Sequence, residues 1–371
     1  MRFQVNANHI NYGMGLISRA LTAKPTKLIY EGVFIETVDE GIQLTCTDGT
    51  ITIKTIVSAA VSEDGSALLP AKLLGELLRK LDGEIDIASE SNAFQAMITA
   101  QGSKTSMLCM EAEDFPDIYD VVGDHVTVLP QSRLRDAVGR IIFAVASDEN
   151  RKILTGCLME TYAEEVRFVC LDGFRLGMQR AYVKNEIPMG QECLAAILPG
   201  KTIGEIAHMM PESDEPVRIV CSATHMMAAF DNTKVYSPLI AGEYINYKQI
   251  LPTTWTTAVR VDRAALIGAI DRAALMAREG KNNLLKLQFT DETLTISAYA
   301  ERGAAVERLS IDFEGSPLDI SFNARYLLDV IRNIDTEDIS MRFNTNVSPC
   351  VICPVEGNQY TYLVLPVRTI D

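Results

Sequence analysis

The stretch VNANHINYGMGLISRAL at residues 5–21 returns, with its apolar spacing intact, as LPQSRLRDAVGRIIFAV at 129–145 and as VDRAALIGAIDRAALMA at 261–277. Aligned, Ile10, Leu134 and Leu266 coincide, and so do Met14, Val138 and Ile270 four residues later. That spacing stacks two side chains on one face of an α-helix. Three copies of one helix, 124 and then 132 residues apart, mark a repeated domain.

A second helix recurs as PAKLLGELL from Pro70, PGKTIGEIA from Pro199 and NARYLLDVI from Asn323. Proline suits a helix's first turn, where its missing N–H is no loss, and asparagine suits the cap. Between the two helices each copy carries alternating segments of strand character: GIQLTCTDG from Gly41, EVRFVCLDG from Glu165 and ETLTISAYA from Glu292. Cys46 and Cys170 align, and the TDG and LDG after them read as one repeated turn formed by Asp48 and Asp172. The third copy lacks it. The predicted class is α+β: three tandem similar domains, 1–124, 125–252 and 253–371, each an antiparallel sheet with two helices on one face. Such a row leaves an unpaired strand edge at each end, and head-to-tail pairing with a second copy removes both.

The length of 371 residues suits two or three domains at about 100–200 residues each. No apolar run approaches the roughly 18–20 residues of a membrane helix, so a soluble chain with no membrane partner is expected. Met1 runs straight into the alternating RFQV with no basic and then apolar leader, which predicts no export signal and a cytoplasmic protein. The eight cysteines are scattered through apolar runs and read as reduced core residues. Cys350 and Cys353 form a lone CxxC, read as strand packing, and the four histidines show no ligand spacing. No metal and no cofactor are expected. Gly200, Lys201 and Thr202 spell GKT, but a phosphate loop also needs glycine where Ala195 stands, and the triplet opens a helix whose two counterparts lack it. With no hydrolase or metalloprotease motif and no paired carboxylates, catalysis is not expected.

The net charge of −15 alone argues against nucleic acid. Its distribution argues otherwise. The six helical segments (5–21, 69–81, 129–145, 197–210, 261–278 and 321–334) hold thirteen Lys or Arg against six Asp or Glu, while the remainder is strongly acidic. In the second helices Lys72, Lys201 and Arg325 are equivalent, and Arg79, His208 and Arg332 follow two turns later on the same face. Glu76, Glu205 and Asp329 between them permit the plainer reading of a solvated face with i,i+4 pairs. With Arg133, Arg140 and Arg272 of the first helices, the cations suit a diffuse positive wall for phosphates, with no base-reading motif.

Over essentially its full length the chain resembles the β sliding clamps of bacterial replicative DNA polymerases. The resemblance is carried by ENRKILTGCLME from Glu149, VCLDGFRLG from Val169, GEYINYKQILP from Gly242, FNARYLLDVI from Phe322 and LVLPVR from Leu363, in that order and spacing. It implies the DNA clamp fold, a ring of two subunits encircling duplex DNA without sequence preference, a separate clamp loader, and tethering of polymerase and repair proteins. It also implies a groove for their linear motifs, walled by Leu154, Leu171, Gly173, Phe174, Arg175, Leu176, Ile245, Ile250, Asn323, Tyr326, Val364, Pro366, Val367 and Arg368. Lys24, beside Pro25, keeps the family's cationic loop position. Phe174 stands where the family has His, Ile245 where it has Pro and Gln249 where Arg is frequent; SDEN before Arg151 is unusually acidic, and Thr369–Asp371 overrun the usual end. The LPVR ending supports the groove independently, since Pro366 cannot continue a central strand.

For the subunit contact, an exposed strand near Lys104–Met110, with Met107 and Leu108, should meet the strand near Ala304–Leu309 of a second copy, where Val306 lies, with Leu275 and Met276 beside it. The alternative is an acidic protein-binding repeat scaffold that never meets DNA, which explains the triplication but not the basic helices.

Overall fold

The structure, a computed structural model, describes residues 1–90, 94–113, 115–280 and 282–368. Seven α-helices are present among them: α1 Ala7–Ile17, α2 Ala71–Leu78, α3 Gln131–Gly139, α4 Gly200–Met209, α5 Tyr247–Ile250, α6 Arg263–Glu279 and α7 Ala324–Arg332. Six lie within or beside the spans expected from periodicity, but each starts later than the pattern suggested. Each of these six follows directly on a strand, as at Arg2–Asn6 before α1 and Leu318–Asn323 before α7. The first residues of each apolar pattern are therefore strand, and the turn is made by the cap. Asn6, Asp262 and Asn323 accept from backbone amides of Asn8, Ala265 and Arg325, satisfying donors the helix leaves open. The equivalent positions Ile10, Leu134 and Leu266 are fully buried. None of the described helices is long and apolar enough to cross a membrane.

The chain divides into two compact units, the first of residues 1–132 and 209–239, the second of residues 133–208 and 240–371. In the first, a five-stranded sheet runs 60–63, 2–6, 84–90, 95–100, 103–108, and an eight-stranded sheet runs 125–130, 216–221, 225–230, 233–238, 52–57, 41–47, 32–38, 66–70. In the second, a nine-stranded sheet runs 194–199, 156–161, 166–171, 175–181, 360–364, 350–354, 338–343, 257–262, 312–315, and a four-stranded sheet runs 303–310, 293–300, 284–290, 318–323. Neighbouring strands are antiparallel. The larger sheets join strands of successive repeats: Val235 pairs with Ile53 in one, and Leu363 with Leu176 in the other. Repeat joining by a shared sheet explains why the compact units cut through the middle copy.

The repeated turn is built alike in both units. The Asp48 carboxylate accepts from the amides of Thr50 and Ile51 at 2.9 Å each, and that of Asp172 from Phe174 and Arg175 at 2.8 and 3.0 Å. Gly49 and Gly173 sit at φ +88° and +93°, where a side chain is strained. Asp48→Ala removes the acceptor of both amides and is expected to cost about 1 kcal/mol, lowering the first unit's thermal midpoint by about 2–4 °C in calorimetry. Cys350 and Cys353 lie in the strand Cys350–Pro354, both buried, and the cysteines are unpaired. Burial pushes both thiols up, away from the reactive thiolate.

Candidate functional site

The expected groove residues all lie in the second unit, on five separated segments. Leu154, Leu171 and Leu176 share one buried cluster with Leu158, Tyr247 and Leu363, and Tyr244 and Leu251 pack against it. Among the other expected wall residues, apolar groups reach solvent: Phe174 is 51% exposed, Ile245 41% and Ile250 39%. Phe174 stacks on Tyr326 of α7 with ring centroids 5.4 Å apart. The last strand stops at Val364, as the following proline requires, and the tail is held by two backbone bonds, Leu365 N–H to the Phe174 carbonyl and Val367 N–H to that of Ser321, both 2.8 Å. Pro366 and Val367 are half-buried and Arg368 is exposed; Thr369–Asp371 lie outside the described residues.

Three expected wall residues turn out differently placed. Val364 is fully buried, and strand alternation gives the cluster its neighbour Leu363 instead. Arg175 is only 9% exposed: its guanidinium bonds Asp172 Oδ2 at 3.0 Å, the Phe143 carbonyl at 2.9 Å and Asp329 of α7, and lies over the rings of Phe143 and Tyr326. It braces the Phe174 turn against α7 rather than offering an open surface. Asn323 is occupied as the cap of α7, its amide nitrogen also donating to the Asn282 carbonyl.

Sequence reasoning passed over the anchorage of the linker that carries Ile245 and Ile250. Glu160, on the strand Gly156–Thr161 and only 7% exposed, accepts from the Tyr247 hydroxyl at 2.5 Å and pairs with Lys248 at 3.2 Å. Lys248 also donates to the Tyr162 hydroxyl at 2.9 Å, and the Tyr244 hydroxyl reaches the carbonyls of Gly156 and Val169 at 3.3 Å each. Burial and the Glu160 carboxylate push the Tyr247 phenol up, so it remains a donor at neutral pH. The tyrosines at 244 and 247, three apart, were the available signal.

Of the cations expected to face phosphate, Lys24, Lys72, Arg79, Arg133, Lys201, Arg272, Arg325 and Arg332 are exposed and Arg140 is half-buried. Several have carboxylate neighbours: Arg140 with Asp335 at 2.6 Å, Arg332 with Asp271 at 2.7 Å, and Arg272 with Glu307 at 2.6 Å. The i,i+4 pair Arg325 to Asp329 is long at 3.9 Å, because Asp329 serves Arg175. Exposed pairs contribute about 0–1 kcal/mol, so such arginines can exchange a carboxylate for a phosphate. Arg272 is distinct: its partner lies on the strand Gly303–Ser310, and its hydrogen bond holds the Glu307 carboxyl below the usual range.

The two strands expected at a subunit contact are both sheet edges. Ser103–Leu108 ends the five-stranded sheet and Gly303–Ser310 the four-stranded one. The first is shorter than expected: the Cys109 amide still bonds the Phe94 carbonyl in the register of that strand pair, but Met110 turns to the Leu68 carbonyl, at 2.8 Å each. Lys104 and Leu108 face solvent, Leu108 at 72% exposure, while Met107 packs inward at 5%. Val306 and Leu275 are more than half exposed and Met276 is half-buried.

Residues 1–119, 128–246 and 248–368 match, in turn, the N-terminal, central and C-terminal domains of the DNA polymerase III beta subunit. The chain is 28% identical over 376 residues to a beta sliding clamp of Synechococcus elongatus, covering 99% of each, and 27% identical to one of Staphylococcus epidermidis, covering 100% of each. Among solved structures it is similar to a putative DNA polymerase III beta subunit of Eubacterium rectale, at 30% identity, and to the DNA polymerase sliding clamp of Bacillus subtilis, at 27%. It is also similar to a Pseudomonas aeruginosa sliding clamp bound to griselimycin, at 28% identity. Each of these three gives a TM-score of 0.93 over 100% of both chains.

Proposed function

We infer how this chain works from the premise that it belongs to the DNA polymerase III beta subunit family, the sliding clamps of replication. It is a sliding clamp, and the observation that carries this is the match of three successive domains across the chain. The protein-binding scaffold without DNA is thereby set aside.

Its domains divide at 1–124, 125–252 and 253–371, and two subunits pair head to tail at the strands 103–108 and 303–310, with Leu108, Val306, Leu275 and Met276 at the contact. The ring carries its basic helices inward. Lys24, Lys72, Arg79, Arg133, Arg140, Lys201, Arg325 and Arg332 meet phosphates diffusely and transiently, which suits sliding, and acidic surface elsewhere keeps DNA from adhering. Arg272 belongs to the subunit edge. No bond is made or broken by the chain, which works in the cytoplasm and needs a loader to open it. Phe174, Ile245 and Ile250 above the Leu154, Leu171, Leu176 and Leu363 floor take the apolar anchors of a short peptide from polymerase or repair proteins.

Holding by topology is tested by loading the protein on nicked circular DNA and then cutting the circle. Retention should last on the circle and vanish on the linear product, while open short duplexes bind weakly, without sequence preference, and release as salt rises. A protein that stays on linear DNA, or selects a sequence, refutes the ring.

A further inference from the structure

We propose that Glu160 is a positioning residue for the docking groove, fixing the wall of Ile245 and Ile250 through Tyr247 and Lys248. The proposal rests on the groove reading above. Ile245 and Ile250 are half-exposed and α5 is only four residues long, too short to hold its shape by its own hydrogen bonds. The segment has no regular strand neighbour, so its backbone is placed by side chains. Two of them converge on Glu160, the next-to-last residue of the strand Gly156–Thr161, which is paired there on both sides, at Arg167 and Ala195. A carboxylate so fixed, accepting from a phenol at 2.5 Å and an ammonium at 3.2 Å, defines where residues 247 and 248 sit. Ile250 follows within the same turn, and Ile245 joins it through the bond from Tyr247 N–H to the Ile245 carbonyl at 2.7 Å.

A buried carboxylate in this place has no other evident use. A leucine or methionine would fill the space without requiring two polar partners, and burying a charge carries a desolvation penalty that these partners offset. What the polar pair adds is direction, because hydrogen bonds fix angle and distance where apolar packing permits sliding. The expected consequence is selectivity: the wall accepts a peptide anchor of one shape, and loosening it weakens that anchor while leaving the leucine floor intact.

The test uses the full-length protein with Tyr247→Phe, which removes only the hydroxyl, and Glu160→Gln, which keeps an acceptor but removes the charge. Without peptide, amide exchange over residues 245–251 should quicken about tenfold in both, with the rest of the unit unchanged. Calorimetry with a peptide of the QLxLF type, the linear motif that the family resemblance implies, should then show affinity falling about tenfold in either variant. In an Ile250→Ala background the same substitutions should change affinity less than about twofold, since they act through that wall. Unchanged exchange at 245–251, or penalties that simply add to that of Ile250→Ala, overturns the proposal. If the unaltered protein binds no such peptide, the groove reading falls, and the exchange measurement still decides whether Glu160 places the segment.

Discussion

Leu275→Asp is expected to convert the protein to monomers in sedimentation velocity at concentrations where the unaltered chain sediments as a dimer. Leu275 lies on α6 at 57% exposure, so aspartate there does not disturb the folded subunit. In the proposed ring it would lie beside the pair formed by the two edge strands, each of which ends its sheet within the subunit. Burying the leucine contributes about 1.5–3 kcal/mol, and a carboxylate in its place must be desolvated at a further cost of several kcal/mol. A closed two-subunit ring contains this contact twice, so the loss counts twice for one substitution. The Arg272–Glu307 pair beside it is already satisfied within one subunit and offers the new charge no free partner. A dimer mass unchanged by Leu275→Asp would move the interface elsewhere.

The repeat architecture was legible because helix periodicity survives divergence. Ile10, Leu134 and Leu266 are held in place by burial, and any polar replacement there opens the core. What periodicity does not record is which element shares a sheet with which. The pairing of Thr52–Val57 with Thr233–Pro238 joins residues about 180 apart, and nothing local in either strand selects the other. The groove shows the same limit at finer scale. Alternation marks 360–364 as a strand, but the face turned to the cluster depends on register with Arg175–Ala181, and the cluster takes Leu363 where alignment pointed to Val364. Asp329 looked like an i+4 partner for Arg325 because a helix viewed alone presents that pair. The turn at Asp172 delivers Arg175 to it from 154 residues away. Polar residues that brace a site are the hardest to read, since Glu160 and Tyr247 become a pair only once two segments meet.

Arg175→Ala and Ile250→Asp separate bracing from binding: both should lose the peptide, and only the first should lose stability. Removing the guanidinium leaves Asp172 Oδ2 and the Phe143 carbonyl without that donor, Asp172 keeping only its two backbone amides on Oδ1, and withdraws the cation from two aromatic faces. Breaking a buried ion pair on one side costs about 3–5 kcal/mol, so Arg175→Ala should lower the thermal midpoint of the second unit by several degrees. It should also lose peptide binding, because the Phe174 turn is no longer tied to α7. Ile250→Asp acts at a half-exposed position on the groove's rim and places no charge in the core. It should leave the thermal midpoint within about 1 °C, since surface substitutions usually shift stability by no more than about 0.5 kcal/mol. An apolar anchor set against aspartate loses at least about 2 kcal/mol, roughly thirtyfold in peptide affinity. Ending the chain after Pro366, which removes Val367 and its bond to Ser321, should weaken the peptide similarly with the dimer intact. If Ile250→Asp and the truncated chain both bind the peptide as tightly as the unaltered protein, the groove lies on another surface, and Arg175 retains only its structural part.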